Sequence, residues 1–139
     1  MIELSIVIPV YNEEESLREL AGGLAAALQK ISLTDYEIIF VDDGSGDSSL
    51  DALRRLADAD GHVRVISFSR NFGHQMAITA GMDHASGDAC VIIDTDGQDP
   101  PEVIADLVNA WREGYEVVYA VRSKREGEGW FKLLTAALF

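Results

Sequence analysis

The sequence predicts an α/β protein, a mostly parallel sheet with helices on both faces. Three observations predict it. Short β-branched runs alternate with segments of helical period. The runs are apolar at successive positions, as strands covered on both faces are. Polar, acidic turns follow the runs at three places. A chain of 139 residues that is 47% hydrophobic can bury one core and is short for two.

The first strand spans Leu4 to Val10, with Ile6, Val7 and Ile8 consecutive. Leu17, Leu20, Ala21, Leu24 and Leu28 then recur at helical spacing, with Asn12 expected as the cap and Glu15 as its reciprocal partner. Glu37 to Val41 is the second strand. Leu50, Leu53, Leu56 and Ala57 mark a short helix that Gly61 can end. Val63 to Phe68 is the third strand. It is followed by a helix over His74 to Ala85, with Met76, Ala77, Ala80 and Gly81 on one face. Cys90 to Ile93 is the fourth. Asp99-Pro100-Pro101-Glu102 opens the next helix, with Asp99 expected at the cap and Ile104, Leu107, Val108 and Trp111 as its buried stripe. Glu116 to Val121 is the fifth strand. Parallel crossovers of this kind are right-handed.

Charge and cysteine content exclude several classes. Asp plus Glu number 24 against 11 Lys plus Arg, a formal charge of −13, so a nucleic-acid binder with a basic phosphate-facing surface is excluded. The apolar fraction excludes a disordered acidic tail. Cys90 is the single cysteine, so there is neither an intrachain disulfide nor a cysteine-based metal site, and a reducing compartment fits. Met1-Ile2-Glu3 lacks a basic signal-peptide region, and no apolar run approaches the ~20 residues that cross a bilayer. The apolar finish Leu133 to Phe139, with no polar tail, leads us to expect a chain cut short.

In an open α/β sheet, ligands bind beyond the carboxyl ends of the strands. The three turns expected there are Pro9 to Glu15, Asp42 to Asp47 and Asp94 to Asp99. Carboxylates gathered at one edge repel, by roughly 4 kcal/mol for two charges ~4 Å apart at an effective dielectric of ~20. Raised pKa values or a bound cation would offset that cost. Asp94-Thr95-Asp96 offers oxygen donors in a short turn and Gln98 adds a neutral one. Oxygen-only donors suit Mg²⁺ or Mn²⁺ and argue against zinc.

Four segments together resemble the family 2 glycosyltransferases of GT-A (Rossmann-like) fold, in particular those that act on polyprenyl phosphates. They are Ile6-Val7-Ile8-Pro9-Val10-Tyr11-Asn12-Glu13, Val41-Asp42-Asp43-Gly44-Ser45, Asn71-Phe72-Gly73-His74-Gln75 and Asp94-Thr95-Asp96-Gly97-Gln98-Asp99-Pro100-Pro101-Glu102. The resemblance runs along nearly the whole chain, in order. It implies a nucleotide-sugar donor (UDP- or GDP-sugar), Mg²⁺ or Mn²⁺, and inverting transfer to a dolichyl or undecaprenyl phosphate at the cytoplasmic face of a membrane. By position, it places Pro9, Tyr11, Glu13, Asp42 and Arg70 around base and ribose. It places Asp94, Asp96 and Gln98 on the metal and diphosphate, and Arg122 and Lys132 near the phosphates. Residues 1–121 would form the nucleotide-sugar-binding core and 122–139 a basic, aromatic exit toward an acceptor half.

Two departures qualify the match. Gly97 stands where the family has a bulky apolar residue, which loosens that turn. The family's Asp-Phe-Arg-like acceptor motif has no counterpart, so the catalytic residues of that half are not identified, and this part is expected not to turn over alone.

Plainer readings stand beside these. Singly, Asp94 and Asp96 are ordinary turn residues, and only the other motifs tip them to metal. Asn12 and Asp99 are explained by capping. Glu14 and Glu15 suit a helix dipole, and Asp43 suits turn chemistry before Gly44. Tyr11 is either a core-edge aromatic or a surface against the base. Cys90 reads as a small buried residue. His74 receives no chemistry. Arg122, Lys124, Arg125, Trp130, Phe131 and Lys132 form either a solvated segment or a rest against anionic headgroups. Two other functions compete with transfer. One is a phosphoreceiver-like module, with Glu13 and Glu14 as its acids. The other is an inert fragment that self-associates through an uncovered sheet edge, as a homo-oligomer.

Overall fold

The computed structural model describes residues 1–95, 100–122 and 131–136, with side chains described for 1–95 and 100–120. Four parallel strands form one sheet: β1 (Leu4–Val10), β2 (Tyr36–Asp42), β3 (Val63–Ser67) and β4 (Ala89–Ile92), in the order β3-β2-β1-β4. Helix α1 (Glu14–Gln29) joins β1 to β2, α2 (Ser49–Ala59) joins β2 to β3, and α3 (His74–Asp83) joins β3 to β4. Beyond β4 come α4 (Val103–Arg112) and an antiparallel pair, β5 (Val117–Arg122) with β6 (Phe131–Ala136). The expected fifth strand therefore pairs with a strand the sequence reading did not foresee. A receiver-type sheet runs 2-1-3-4-5. Here β3 lies outside β2, which removes the phosphoreceiver alternative.

Strand alternation divides the core. Ile6 and Ile8 of β1, Ile38 and Phe40 of β2 and Val91 of β4 face α1, α2 and α4, where Leu17, Leu24, Leu53, Ile104 and Val108 meet them. Ile39 and Val41 point the other way onto α3 through Ala77. Helices thus cover both faces, as expected. Helix α3 lies unusually close to the sheet. A Cβ on Gly81 would stand 2.3 Å from Val7 Cγ1, so only glycine fits there.

Several local expectations need correction. Helix α1 starts at Glu14 without a side-chain cap, and Asn12 instead adopts φ 52° and accepts a hydrogen bond from Gly46 N–H. Helix α4 starts at Val103, after a turn in which Val103 N–H and Ile104 N–H donate to the carbonyls of Pro100 and Pro101. The cap expected at Asp99 lies outside the described residues. Met76 is 54% exposed rather than on the packed face of α3. Cys90 is exposed, as is Ile92, on β4, the outer strand of the described sheet. Among the described residues, no helix is long and apolar enough to cross a membrane.

Candidate functional site

Strands β1, β2 and β3 end side by side, with Val10 in register with Asp42 and Asp42 with Ser67. A cleft of about 490 Å³ opens beyond their carboxyl ends. Pro9, Val10, Tyr11 and Glu13 line it from the β1–α1 turn, and Asp43 from the end of β2. Asn71, Gly73 and His74 come from the approach to α3, and Asp94 and Thr95 from the end of β4. A larger, mainly apolar cavity of about 660 Å³ lies between β4, α4 and β5. It lacks this convergence of polar groups, so the carboxyl-edge cleft is the candidate site.

The two turns at the β1 and β2 ends are laced together by side chains. Asn12 N–H donates to Ser45 Oγ at 3.0 Å and Glu13 N–H to Ser49 Oγ at 2.9 Å. Glu14 N–H reaches Asp47 Oδ2 at 3.5 Å. Partial burial pushes the Asp47 carboxyl up, but hydrogen bonds from Ser49 and Glu14 outweigh it and hold that carboxyl below its ordinary value. The amides of Asn12, Glu13 and Glu14, which lead into α1, therefore point at side-chain oxygens of the β2–α2 turn.

The two aspartates of the second motif behave differently. Asp42 is 2% exposed; its Oδ2 accepts from Ser45 N–H at 3.3 Å, while Oδ1 is buried with no hydrogen-bond partner among the described residues. Asp43, 3% exposed, accepts from Asn71 Nδ2 and from the backbone N–H groups of Phe72 and Gly73. Asp94 stands half-exposed, its Oδ1 3.3 Å from His74 Nε2. Arg70 is exposed and rests on the Phe72 ring at 4.0 Å, outside the cleft lining. Tyr11 is 48% exposed, which excludes the core-edge reading.

Of the expected site residues, the structure brings Pro9, Tyr11, Glu13 and Asp94 to one cleft, with Asp42 buried beneath it and Arg70 outside. Asp96 and Gln98 lie outside the described residues, as do the side chains of Arg122 and Lys132. Asp43, Asn71 and His74 were not expected to line the site. The signal available was the Asn71-to-Gln75 motif, which had no chemistry attached.

Glu13, Asp43 and Asp94 make the described lining acidic, with no Lys or Arg among its described residues. Both Asp43 oxygens are taken by N–H donors, and among the described residues no three acidic or histidine side chains stand close enough to hold a metal, so a dication here would draw on Asp94 together with Asp96 and Gln98, which lie outside them. A diphosphate entering such a cleft needs a positive charge that these walls do not supply.

The family model described as Glycosyl transferase family 2 matches residues 5–137. An uncharacterised glycosyltransferase, YkcC, of Bacillus subtilis is 54% identical over 99% of this chain and 42% of its own length. A bactoprenol glucosyl transferase of Shigella phage SfV is 42% identical over 99% of this chain and 45% of its own. A mannosyltransferase of Pyrobaculum calidifontis, solved with GDP-Man and Mn²⁺, superposes with a TM-score of 0.72 at 21% identity, over 89% of this chain and 36% of that one. The superposition shows the GT-A fold, and this chain spans less than half the length of these relatives. With the family model matched along nearly its whole length, the chain belongs to glycosyl transferase family 2.

Proposed function

We propose that this chain is the donor-binding part of a metal-dependent, inverting glycosyltransferase that moves a sugar from a nucleotide-sugar to a polyprenyl phosphate at the cytoplasmic face of a membrane. The observation that carries the reading is the acid-lined cleft at the strand ends, whose described lining holds no Lys or Arg. The name of the SfV relative supports a bactoprenol acceptor, and the Pyrobaculum complex supports a nucleotide-sugar with a divalent ion.

In this reading Tyr11 offers its exposed ring to the base. Pro9 and Glu13 border the ribose, the partnerless Asp42 Oδ1 accepts a base N–H, and Arg70 flanks that pocket. Asp94, Asp96 and Gln98 hold the cation, and Arg122 and Lys132 approach the phosphates. Residues 1–121 form the donor core, and 122–139 lead toward an acceptor half. A bound Mg²⁺ or Mn²⁺ supplies Lewis acidity to the leaving diphosphate. The acceptor phosphate is already ionised, so the residues mainly align donor and acceptor rather than remove a proton.

Calorimetric titration of this chain with UDP- and GDP-sugars, with and without Mn²⁺, tests the reading. One nucleotide should bind only with the metal, and Asp94→Ala or Asp96→Ala should weaken it by at least tenfold. Equal binding in metal-free buffer, or unweakened binding in both variants, overturns it.

A further inference from the structure

We propose that Asp43 is a positioning residue: its carboxylate fixes the segment Asn71 to Gly73 and thereby sets His74 against Asp94 across the cleft. The inference rests on the donor-site reading of Asp94 and assigns Asp43 no contact with the donor itself.

Asp43 is 3% exposed, and a buried carboxylate is tolerated when its oxygens are hydrogen-bonded. Both oxygens are engaged. Phe72 N–H donates to Oδ1 at 2.7 Å, Gly73 N–H lies 3.3 Å from Oδ1 and 3.1 Å from Oδ2, and Asn71 Nδ2 donates to Oδ2 at 3.1 Å. These amides immediately precede α3 and have no helical acceptor of their own. Gly73 takes φ 105°, and the two successive amides converge on one carboxylate.

A second contact holds the same segment from the same turn. Gly44, at φ 70°, packs so closely that a Cβ there would lie 2.2 Å from the Arg70 carbonyl carbon and 2.4 Å from Asn71 N. On its other side, Phe72 meets Phe68 edge-to-face at 5.5 Å. His74 is the next residue and the first of α3, a helix seated on Val7 through Gly81. The imidazole is thus delivered from a clamped loop and a docked helix, and its Nε2 stands 3.3 Å from Asp94 Oδ1. Asp43 has its oxygens committed to N–H donors, whereas adjacent Asp42 keeps one without a partner. The pair divides the work: Asp42 lies beneath the cleft with one oxygen that no described residue satisfies, and Asp43 builds the wall that orients Asp94.

The test uses the ¹⁵N-labelled chain without metal or nucleotide. In Asp43→Asn an NH₂ group replaces one acceptor among N–H donors. The Phe72 and Gly73 amides should exchange at least tenfold faster, and the His74 imidazole resonances should move toward those of a solvated histidine. Asn71→Ala, which keeps the carboxylate, should shift both readouts the same way by less. With Mn²⁺ and the nucleotide the wild type binds, Asp43→Asn should weaken affinity by at least fivefold. Adding His74→Gln to it should weaken it no further, since the two act in series. Unchanged His74 resonances in folded Asp43→Asn, or losses that multiply in the double variant, overturn the proposal. Should Asp43→Asn not fold, unchanged exchange and resonances in Asn71→Ala overturn it. If the wild type binds no nucleotide with Mn²⁺, the donor-site reading fails instead, while the metal-free resonances still decide whether Asp43 sets His74.

Discussion

Two buried carboxylates stand five residues apart on β2, and their surroundings are opposite. Glu37, at the amino end of the strand, is 3% exposed and fully engaged. Its Oε1 accepts from Ser5 Oγ at 2.8 Å and Ser86 N–H at 2.7 Å, and its Oε2 from Arg64 at 2.9 Å. Ser5 Oγ in turn accepts from Gly87 N–H at 2.8 Å, so one carboxylate ties the α3–β4 turn to three strands. Asp42, at the carboxyl end, is equally buried, yet one of its oxygens has no partner among the described residues. The same strand thus spends one acid on holding the sheet together and leaves the other unsatisfied at the cleft. Incomplete satisfaction falls at the end of the sheet where the donor site is proposed.

The comparison breaks first at Glu37. Glu37→Ala leaves Ser5 Oγ, Ser86 N–H and Arg64 without their acceptor. Arg64 is 46% exposed and can turn to water, but each donor left without its acceptor costs about 1–3 kcal/mol, so Ser5 Oγ and Ser86 N–H together cost about 3 kcal/mol. For a domain of this size that lowers Tm by roughly 10 °C. Calorimetric melting checks it, and a drop of only a degree or two would show that the network contributes little. Metal-dependent nucleotide affinity below the melting transition should stay within about twofold of wild type, because no Glu37 contact reaches the cleft.

Asp42→Asn should do the reverse. The amide keeps an oxygen for Ser45 N–H and removes a buried charge, so stability should change by less than about 1 kcal/mol in either direction. Nucleotide affinity should fall by about tenfold, the worth of one charge-assisted hydrogen bond. Urea unfolding and calorimetric titration on the same preparation measure the two. A large stability loss with intact binding would make Asp42 a structural residue like Glu37.

Much of the fold around these two acids was legible in the sequence, and the reasons are physical. The β1 to β4 runs and their helices follow from periodicity, because strands covered on both faces must be apolar on both. The acidic turns fell at the strand ends for the same topological reason. The resemblance placed Asp42 around base and ribose and turn chemistry accounted for Asp43, but neither the hydrogen bonds of Asp43 nor the Glu37 network could be read. Each depends on partners distant in sequence: Glu37 on Ser5, Arg64 and Ser86, and Asp43 on Asn71, Phe72 and Gly73. The α1 cap failed because Asn12 is drawn out of the helix by the β2–α2 turn, a tertiary contact that overrides the local signature. Likewise, the exposure of Cys90 follows from β4 being an edge strand, which its own composition does not reveal.

A final, smaller effect sharpens the comparison through pH. Burial pushes the Glu37 carboxyl up, but the hydrogen bonds from Ser86, Arg64 and Ser5 outweigh it and hold it below its ordinary value. A depressed carboxyl contributes stability that is fully present above its unfolded-state pKa and is lost as pH falls through the folded-state value. Glu37→Gln has no such proton to bind. The stability gap between wild type and Glu37→Gln should therefore be widest at neutral pH and shrink as pH drops below about 4. Glu3, Asp47 and Asp60 are also held low, but they titrate in both proteins and cancel in the difference. Urea unfolding of the pair at pH 7 and pH 3 measures it. A gap that stays constant, or widens in acid, would mean that the hydrogen bonds around Glu37 do not favour its ionised form.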